Sequence, residues 1–232
     1  MPAVMVPSRV FRGWTRPMIE LRGCEPVAQG HKRFVYQHPR DGGLLVKVWK
    51  PEVVEARWGH RAPWNQRLRR YGPYVSFRRE ISEHLALAVR HPQGVPVLQT
   101  PAGVVETDMG LGVVVEKLVG HDGGLAPSLR ALALREGLTP HTRAKLRQFL
   151  AELLHYGVVI GKLHGFNLVL AVREGQEERF VMIDGYGEKS FIPIHAWWPR
   201  INAAHTRRRV VAMVDSLPIA AADKAGLFRV QG

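Results

Sequence analysis

One lysine in this sequence lies inside an otherwise apolar segment. Lys47 is flanked by Leu44-Leu45-Val46 and Val48-Trp49, a pattern that predicts a buried β-strand. Burial of an ammonium group is costly unless an anion accompanies it, and an edge strand with its lysine in solvent is the simpler alternative. Glu80 opens a helical pattern further along the chain and could supply that anion. A strand lysine paired with a helix glutamate can hold the phosphates of a nucleotide.

Two more polar residues occur beside predicted apolar strands. Asn167 ends a turn just before one strand, and Asp184 leaves another strand into a glycine-rich turn. An acid in that place suits a divalent cation held near a phosphate, although turns of both kinds are common without any ligand. The ordered set of Lys47, Glu80, Asn167 and Asp184 is far more specific than any one of its members.

Gly30 lies in the turn between two early predicted strands. A glycine there lets the backbone approach a phosphate closely, as glycine-rich loops do. Glycines mark ordinary turns more often, so this residue alone is a weak indication of a nucleotide site.

The composition is that of a globular protein with an unusual charge. The 232 residues carry a formal charge of +13, and the isoelectric point is near 10.6. This charge predicts an anionic partner, for which a nucleotide, a nucleic acid, an anionic lipid and an acidic protein are all open. The single cysteine excludes an internal disulfide, and no apolar run is long enough for a signal peptide or a membrane span. These features predict a cytoplasmic protein.

Hydrophobic periodicity predicts strands first and helices later, and therefore an α+β fold with a strand-rich N-lobe and a helix-rich C-lobe. Residues 1–18 are predicted to be an irregular arm, residues 19–118 the N-lobe and residues 119–232 the C-lobe. A segment rich in Trp and Arg, at 50–74, is an insert in the N-lobe. Helices are predicted at 76–89, at 139–156 and after residue 201. Strands are predicted at 34–36, 44–49, 95–99, 103–106, 111–118, 158–160, 168–172 and 180–183.

A set of short segments, spread along the chain, resembles one known family. The segments are Gly30-His31-Lys32-Arg33, His38-Pro39, Arg78-Arg79-Glu80, Glu106-Thr107-Asp108-Met109-Gly110-Leu111-Gly112, Asp184-Gly185-Tyr186-Gly187-Glu188-Lys189-Ser190 and Ile192-Pro193. They look like the YrbL family, whose members are called PhoP regulatory network proteins and belong to the wider protein-kinase-like superfamily. The resemblance covers roughly residues 20–215. It implies a bilobal protein-kinase-like fold in a bacterial cytoplasmic protein, and it implies no defined substrate.

The same resemblance implies a site for ATP and Mg²⁺. Lys47 corresponds to the strand lysine that holds the α- and β-phosphates, and Glu80 corresponds to its helix partner. The stretch Glu116-Lys117-Leu118 falls where the hinge between the lobes offers backbone groups to adenine. Asn167 and Asp184 correspond to the two metal ligands.

One position departs from the protein-kinase pattern. In protein kinases the catalytic base is an Asp within His-Arg-Asp, five residues before the metal-binding Asn. Here that triplet is Ile160-Gly161-Lys162. A lysine accepts a proton at neutral pH only if its pKa is driven far down, so Lys162 could instead neutralise the transferring phosphoryl group. His164 is another candidate for proton transfer, with a turn histidine facing solvent as the alternative.

Basic and aromatic residues are interleaved from residue 49 to residue 74. Such a mixture suits a nucleic acid or an anionic lipid surface, and by analogy with kinase-like enzymes of the lipopolysaccharide core it also suits an anionic glycolipid. The alternative is a packed insert whose tryptophans cover the N-lobe and whose arginines are solvated. The residues concerned are Trp49, Lys50, Arg57, Trp58, Arg61, Trp64, Arg67, Arg69, Arg70, Tyr71 and Tyr74.

Three functions are compatible with these features. The first is an atypical phosphotransferase that uses ATP and Mg²⁺ on an unknown acceptor, either a protein or an anionic glycolipid. The second is a pseudokinase, in which the same pocket serves as a regulatory binding module. The third is a basic module that binds an anionic polymer through residues 49–74 and Arg207-Arg208-Arg209.

Overall fold

The computed structural model describes residues 18–188 and 194–219. Its strands are β1 (Ala28–Gln29), β2 (Arg33–Gln37), β3 (Leu44–Trp49), β4 (Pro101–Thr107), β5 (Gly110–Glu116), β6 (Leu168–Ala171) and β7 (Arg179–Met182). Its α-helices are α1 (Pro51–Trp58), α2 (Trp64–Arg67), α3 (Val75–Arg90), α4 (Leu129–Glu136), α5 (Pro140–Tyr156), α6 (Ile194–Trp197) and α7 (Pro199–Asp215), with a 3₁₀ turn at Gly72–Tyr74. The predicted α+β fold class is confirmed.

The first five strands form one antiparallel sheet in the order β1-β2-β3-β5-β4. β3 is central, and its side chains alternate between the two faces of the sheet. Leu45 and Trp49 pack with Phe77 of α3 on one face, whereas the valines on either side of Lys47 join a separate cluster. Lys47 lies two residues from both Leu45 and Trp49, so it shares the face that carries α3.

The C-terminal half packs around a second hydrophobic core, in which α5 covers the hairpin of β6 and β7. Thr139 caps the start of α5, since its Oγ1 accepts a hydrogen bond from the backbone N–H of Thr142 at 3.1 Å. Gly157 ends the helix with φ at +64°, the left-handed conformation that favours glycine. Phe149 of α5 and Phe180 of β7 are both almost completely buried. This core holds in place the strand that leads to Asp184.

The three predicted helices are confirmed, with small shifts at their ends. The helix predicted at 76–89 is α3, and the one predicted at 139–156 is α5. The helix predicted after residue 201 is α7, which begins earlier because Pro199 suits the first turn of a helix.

Two predicted strands are wrong. Residues 95–99 and 158–160 contribute only isolated bridges, from Leu98 to Met182 and from Ile160 to Tyr186. Both segments are apolar because they cross the C-terminal core, where Val97 and Ile160 are buried. A short buried segment has the same composition whether or not it pairs as a strand.

The predicted insert at 50–74 consists of α1, α2 and the 3₁₀ turn. The predicted arm lies outside the described residues, apart from Met18. Within the part of the chain that the structure describes, no helix is both long enough and apolar enough to cross a bilayer.

Candidate functional site

Lys47 extends from the centre of the sheet to the turn that carries Asp184. The residue is 6% exposed, and its Nζ donates hydrogen bonds to Oε1 of Gln99 at 2.5 Å and to the backbone oxygen of Ile183 at 2.7 Å. Burial lowers the pKa of Lys47 to about 8, against the opposite effect of the Glu80 and Asp184 carboxylates. Because β3 is flanked by β2 and β5, the edge-strand alternative is excluded.

Glu80 is bound by Arg33 and not by Lys47. The guanidinium Nη2 lies 3.0 Å from Oε1 of Glu80, and Nη1 lies 3.4 Å from Oε2. Among the described residues, no ion pair joins Lys47 to Glu80. The predicted Lys47–Glu80 pair is therefore wrong. The reason is the sheet register: Val35 lies opposite Lys47, which places Arg33 on the same face.

Arg33 is enclosed on several sides. Its guanidinium lies 4.7 Å from the ring centre of Phe77 and 5.7 Å from that of Trp49. Nη1 also lies 3.6 Å from Oδ2 of Asp184, so one cation contacts both carboxylates of the site. The sequence analysis missed Arg33 because it stands in a Gly-His-Lys-Arg turn. Residues two apart in a strand lie on the same face, so the position of Arg33 two residues before Val35 is the signal that would have found it.

The two carboxylates differ in their ionisation. Burial raises the pKa of Glu80 to about 7, although Arg33 opposes this. Burial also acts to raise the pKa of Asp184, but Arg33 and then a hydrogen bond with Glu80 hold it below its ordinary value. Asp184 is therefore the stronger acid of the two, and its side chain is 37% exposed.

Asn167 and Asp184 are brought together by two loops that are bonded to each other. The backbone N–H of Lys162 donates to the oxygen of Gly185 at 2.7 Å, and the N–H of Ile183 donates to the oxygen of Asn167 at 2.8 Å. The Nδ2 atom of Asn167 lies 3.3 Å from the place that a Cβ at Gly185 would occupy. The loop that carries Asn167 and Lys162 therefore lies directly against the Asp-Gly turn.

The donor set of this turn fits a magnesium ion only in part. Among the described residues, no three His, Cys, Asp or Glu side chains form a metal-binding group. Asp184 and Asn167 supply one carboxylate and one amide, and Mg²⁺ commonly takes one or two protein carboxylates with water and substrate phosphates. The two residues can therefore hold Mg²⁺ if a phosphate completes the ligand set.

Gly185 is expected to be essential for this arrangement. Its φ is +90°, and a Cβ there would clash with the backbone oxygen of Lys162. We expect Gly185→Ala to lower the free energy of unfolding by about 2–5 kcal/mol, from backbone strain together with the clash. Gly175→Ala is the matched control, because Gly175 has φ of +68° and open space around it. Urea unfolding would contradict the assignment if both variants lost the same stability.

Lys32 lies within electrostatic reach of Asp184 and of two further cations, Arg57 and Lys162. Lys32, in the turn before β2, has its pKa lowered by burial and by the charges of Arg57 and Lys162, while Asp184 raises it. Lys162 is exposed, and so is His164. The predicted catalytic pair thus lies on the solvent side of the two loops, and Lys32 and Arg57 are additional cations that the motif argument missed.

Gly30 forms the predicted tight turn. Its backbone N–H donates to the oxygen of Arg33 at 2.9 Å, which places Lys32 in the turn itself. A Cβ at Gly30 would have Arg33 oxygen 3.9 Å away as its nearest neighbour, an ordinary contact. The turn geometry therefore does not itself require glycine, Gly30 is exposed, and its approach to a phosphate stays a prediction.

The predicted hinge is bonded within the protein. The N–H of Glu116 donates to the oxygen of Thr100 at 3.0 Å, and its backbone oxygen accepts from Nε2 of Gln99 at 2.7 Å. The backbone oxygen of Leu118 accepts from the N–H of Ala126 at 3.0 Å. Gln99 thus joins the hinge to Lys47, a link that no motif in the sequence indicated.

Arg173, just after β6, ties the hinge to the segment before β4. Its guanidinium donates to both carboxylate oxygens of Glu116, at 2.5 and 3.1 Å, and to the backbone oxygens of Pro96 and Leu98. The two halves of the described chain are thereby joined by charge-assisted bonds at the back of the site.

The segment at 49–74 is packed on one side and exposed on the other. Trp58 packs edge-on against the buried Trp49, with ring centres 5.5 Å apart. Tyr74 accepts a hydrogen bond from the N–H of Leu111. Trp64 and Tyr71 are exposed, at 74% and 41%. The packed-insert alternative therefore holds for Trp49, Trp58 and Tyr74, and contact of the exposed side with an anionic surface stays a prediction.

Residues 19–218 match the family described as PhoP regulatory network protein YrbL. This chain belongs to the YrbL family. The matched residues include the sheet, α3, both loops of the site and α7. No curated protein sequence matches this YrbL-family chain.

Chains of solved structures also match this YrbL-family chain. Rad53 1–466 in complex with AMP-PNP has 13% identity and a TM-score of 0.49, over 88% of this chain and 50% of the other. The PknI kinase domain of Mycobacterium tuberculosis, solved as a double mutant, has 17% identity and a TM-score of 0.38, over 66% and 52%. The chain spans about half the length of each. The observed sheet, with α3 between β3 and β4 and a helix-rich second half, agrees with the predicted protein-kinase-like fold.

Proposed function

We propose that this chain is a kinase-like nucleotide-binding protein that acts as an atypical phosphotransferase with ATP and Mg²⁺. The observation that carries the proposal is the buried Lys47, bonded to the peptide oxygen just before a partly exposed Asp184. Burial of that ammonium group is unfavourable, and packing of the sheet alone would not require it. A cation and a carboxylate held together at one cleft suit a metal-bound phosphate chain.

The surrounding residues support distinct roles in phosphoryl transfer. Lys47 and Lys32 would neutralise phosphate oxygens, and Asn167 and Asp184 would hold Mg²⁺. The metal would supply charge neutralisation at the transferring phosphoryl group. Lys162, at the position of the usual base, would stabilise the charge that develops there, because positioning and electrostatics supply most of the rate in this reaction.

The pseudokinase alternative is favoured by one specific observation. No carboxylate occupies the position of the usual base, where Lys162 is exposed. The nucleotide pocket would then serve binding and regulation, with no transfer to an acceptor. The acceptor in the first case is a protein or an anionic glycolipid, for which the exposed Trp64 and the arginines of segment 49–74 would provide an anionic-surface contact.

A nucleotide thermal-shift experiment tests the proposal. We expect ATP with Mg²⁺ to raise the melting temperature of the wild type by several degrees, and to raise that of Lys47→Met much less. Lys145→Met is the matched control, since Lys145 is also largely covered but pairs with Glu177 elsewhere in the fold. A wild type that ATP does not stabilise would contradict both nucleotide hypotheses.

Hydrolysis measurements separate the two nucleotide hypotheses. The phosphotransferase predicts ATP turnover that falls at least about tenfold in Lys162→Met, whereas the pseudokinase predicts a thermal shift without turnover. Turnover that Asp184→Asn leaves unchanged would come from a contaminant and not from this site.

A further inference from the structure

Arg33 holds a position that the proposed mechanism leaves without a role. It is 8% exposed, makes two bonds to Glu80 and lies 3.6 Å from Oδ2 of Asp184, the residue proposed to bind the metal. Phe77 and Trp49 flank its guanidinium. Arg33 is therefore fixed beside the very carboxylate on which a divalent cation would depend.

The charges of this cluster balance without a metal ion. Lys47 and Arg33 supply two cations, and Glu80 and Asp184 supply two carboxylates. A strand lysine, a helix carboxylate and an Asp alone would leave one negative charge for a divalent ion to neutralise. Here the guanidinium already neutralises that charge, and a buried unit charge next to a carboxylate changes the affinity of the carboxylate for a divalent ion strongly.

We propose that Arg33 is a resident counter-ion of Asp184 that weakens divalent-cation binding at this site, so that nucleotide binds with little need for a metal. The nucleotide half of this inference rests on the proposed function. The phosphates would be held chiefly by Lys47, by the partly buried Lys32 and by the exposed Lys162.

Arg33 cannot easily leave to make room for a metal. Its departure would leave Glu80, whose side chain is 11% exposed, without the cation that neutralises it. Breaking a buried charge pair is costly, whereas Mg²⁺ binding to one carboxylate and one amide is weak. The ion pair is therefore the favoured state unless the metal brings further ligands with it.

Mn²⁺ binding without nucleotide tests the metal half directly. The protein is titrated with Mn²⁺ and the free ion is followed by electron paramagnetic resonance, for the wild type, Arg33→Met and the double variant Arg33→Met/Glu80→Gln. We expect the dissociation constant to fall at least about tenfold in both variants, because a repelling cation is removed next to Asp184. The double variant keeps the test valid if Arg33→Met alone does not fold, and Arg40→Met is an exposed control that should bind as the wild type does.

Equal Mn²⁺ affinity in the wild type and the double variant would overturn the inference. Adding Asp184→Asn to the double variant should abolish the gain, and a gain that survives would place the metal elsewhere and would also overturn it. In a second arm, ATP is added in EDTA: the wild type should keep most of its thermal shift, and the double variant should need Mg²⁺. A wild-type shift that EDTA removes would overturn the inference. Absence of any ATP shift would overturn the proposed function, while the Mn²⁺ titration would still decide the role of Arg33.

Discussion

Glu80→Gln is expected to lower the free energy of unfolding by about 3–5 kcal/mol, one of the two largest effects that the structure predicts. The change removes the negative charge beside the buried guanidinium of Arg33, which keeps at most a neutral amide acceptor there and the longer ionic contact to Asp184. Urea unfolding followed by circular dichroism measures the loss.

The double variant Arg33→Met/Glu80→Gln shows how much of the lost stability comes from leaving one charge of the ion pair unpaired. It should recover most of the lost stability, because a buried ion pair replaced on both sides is often nearly neutral. Glu136→Gln is the matched control: its ion pair with Arg135 has the same 3.0 Å separation but side chains that are 68% and 40% exposed. We expect at most about 1 kcal/mol there. Equal losses at Glu80 and Glu136 would contradict a buried Arg33–Glu80 pair.

Lys47→Met is expected to weaken ATP binding at least about 30-fold, which corresponds to a loss of about 2 kcal/mol or more. Methionine keeps most of the length of the side chain and removes the charge that the phosphates would meet. The affinity is measured by isothermal titration calorimetry, with Lys145→Met as the control, since Lys145 is also largely covered but pairs with Glu177 on α5's side of the protein.

The stability of Lys47→Met helps to interpret that result. The change removes a buried charge but leaves Oε1 of Gln99 and the oxygen of Ile183 without their donor. These effects oppose each other, so the variant should fold. A folded Lys47→Met that binds ATP as tightly as the wild type would exclude Lys47 from the nucleotide site.

Local patterns predicted most of the elements because their causes are local. The apolar stripe of α3 and the capped start of α5 are both visible in the sequence, and both helices were found near their true ends. Residues 95–99 and 158–160 failed because burial alone makes a segment apolar, whatever its backbone pairs with. The α-helices within 50–74 were missed since a helix with no buried residue, such as α1, has no apolar stripe.

The sequence by itself determined that Lys47 would be buried, because the apolar residues on both sides of it place its strand inside the protein. It also placed Asn167 and Asp184 at the ends of strands, where loops can meet. Only the tertiary structure decided which group pairs with each buried charge. The register of β2 against β3 brings Arg33, and not Lys47, to Glu80, and strand register depends on contacts between residues that are distant in the chain.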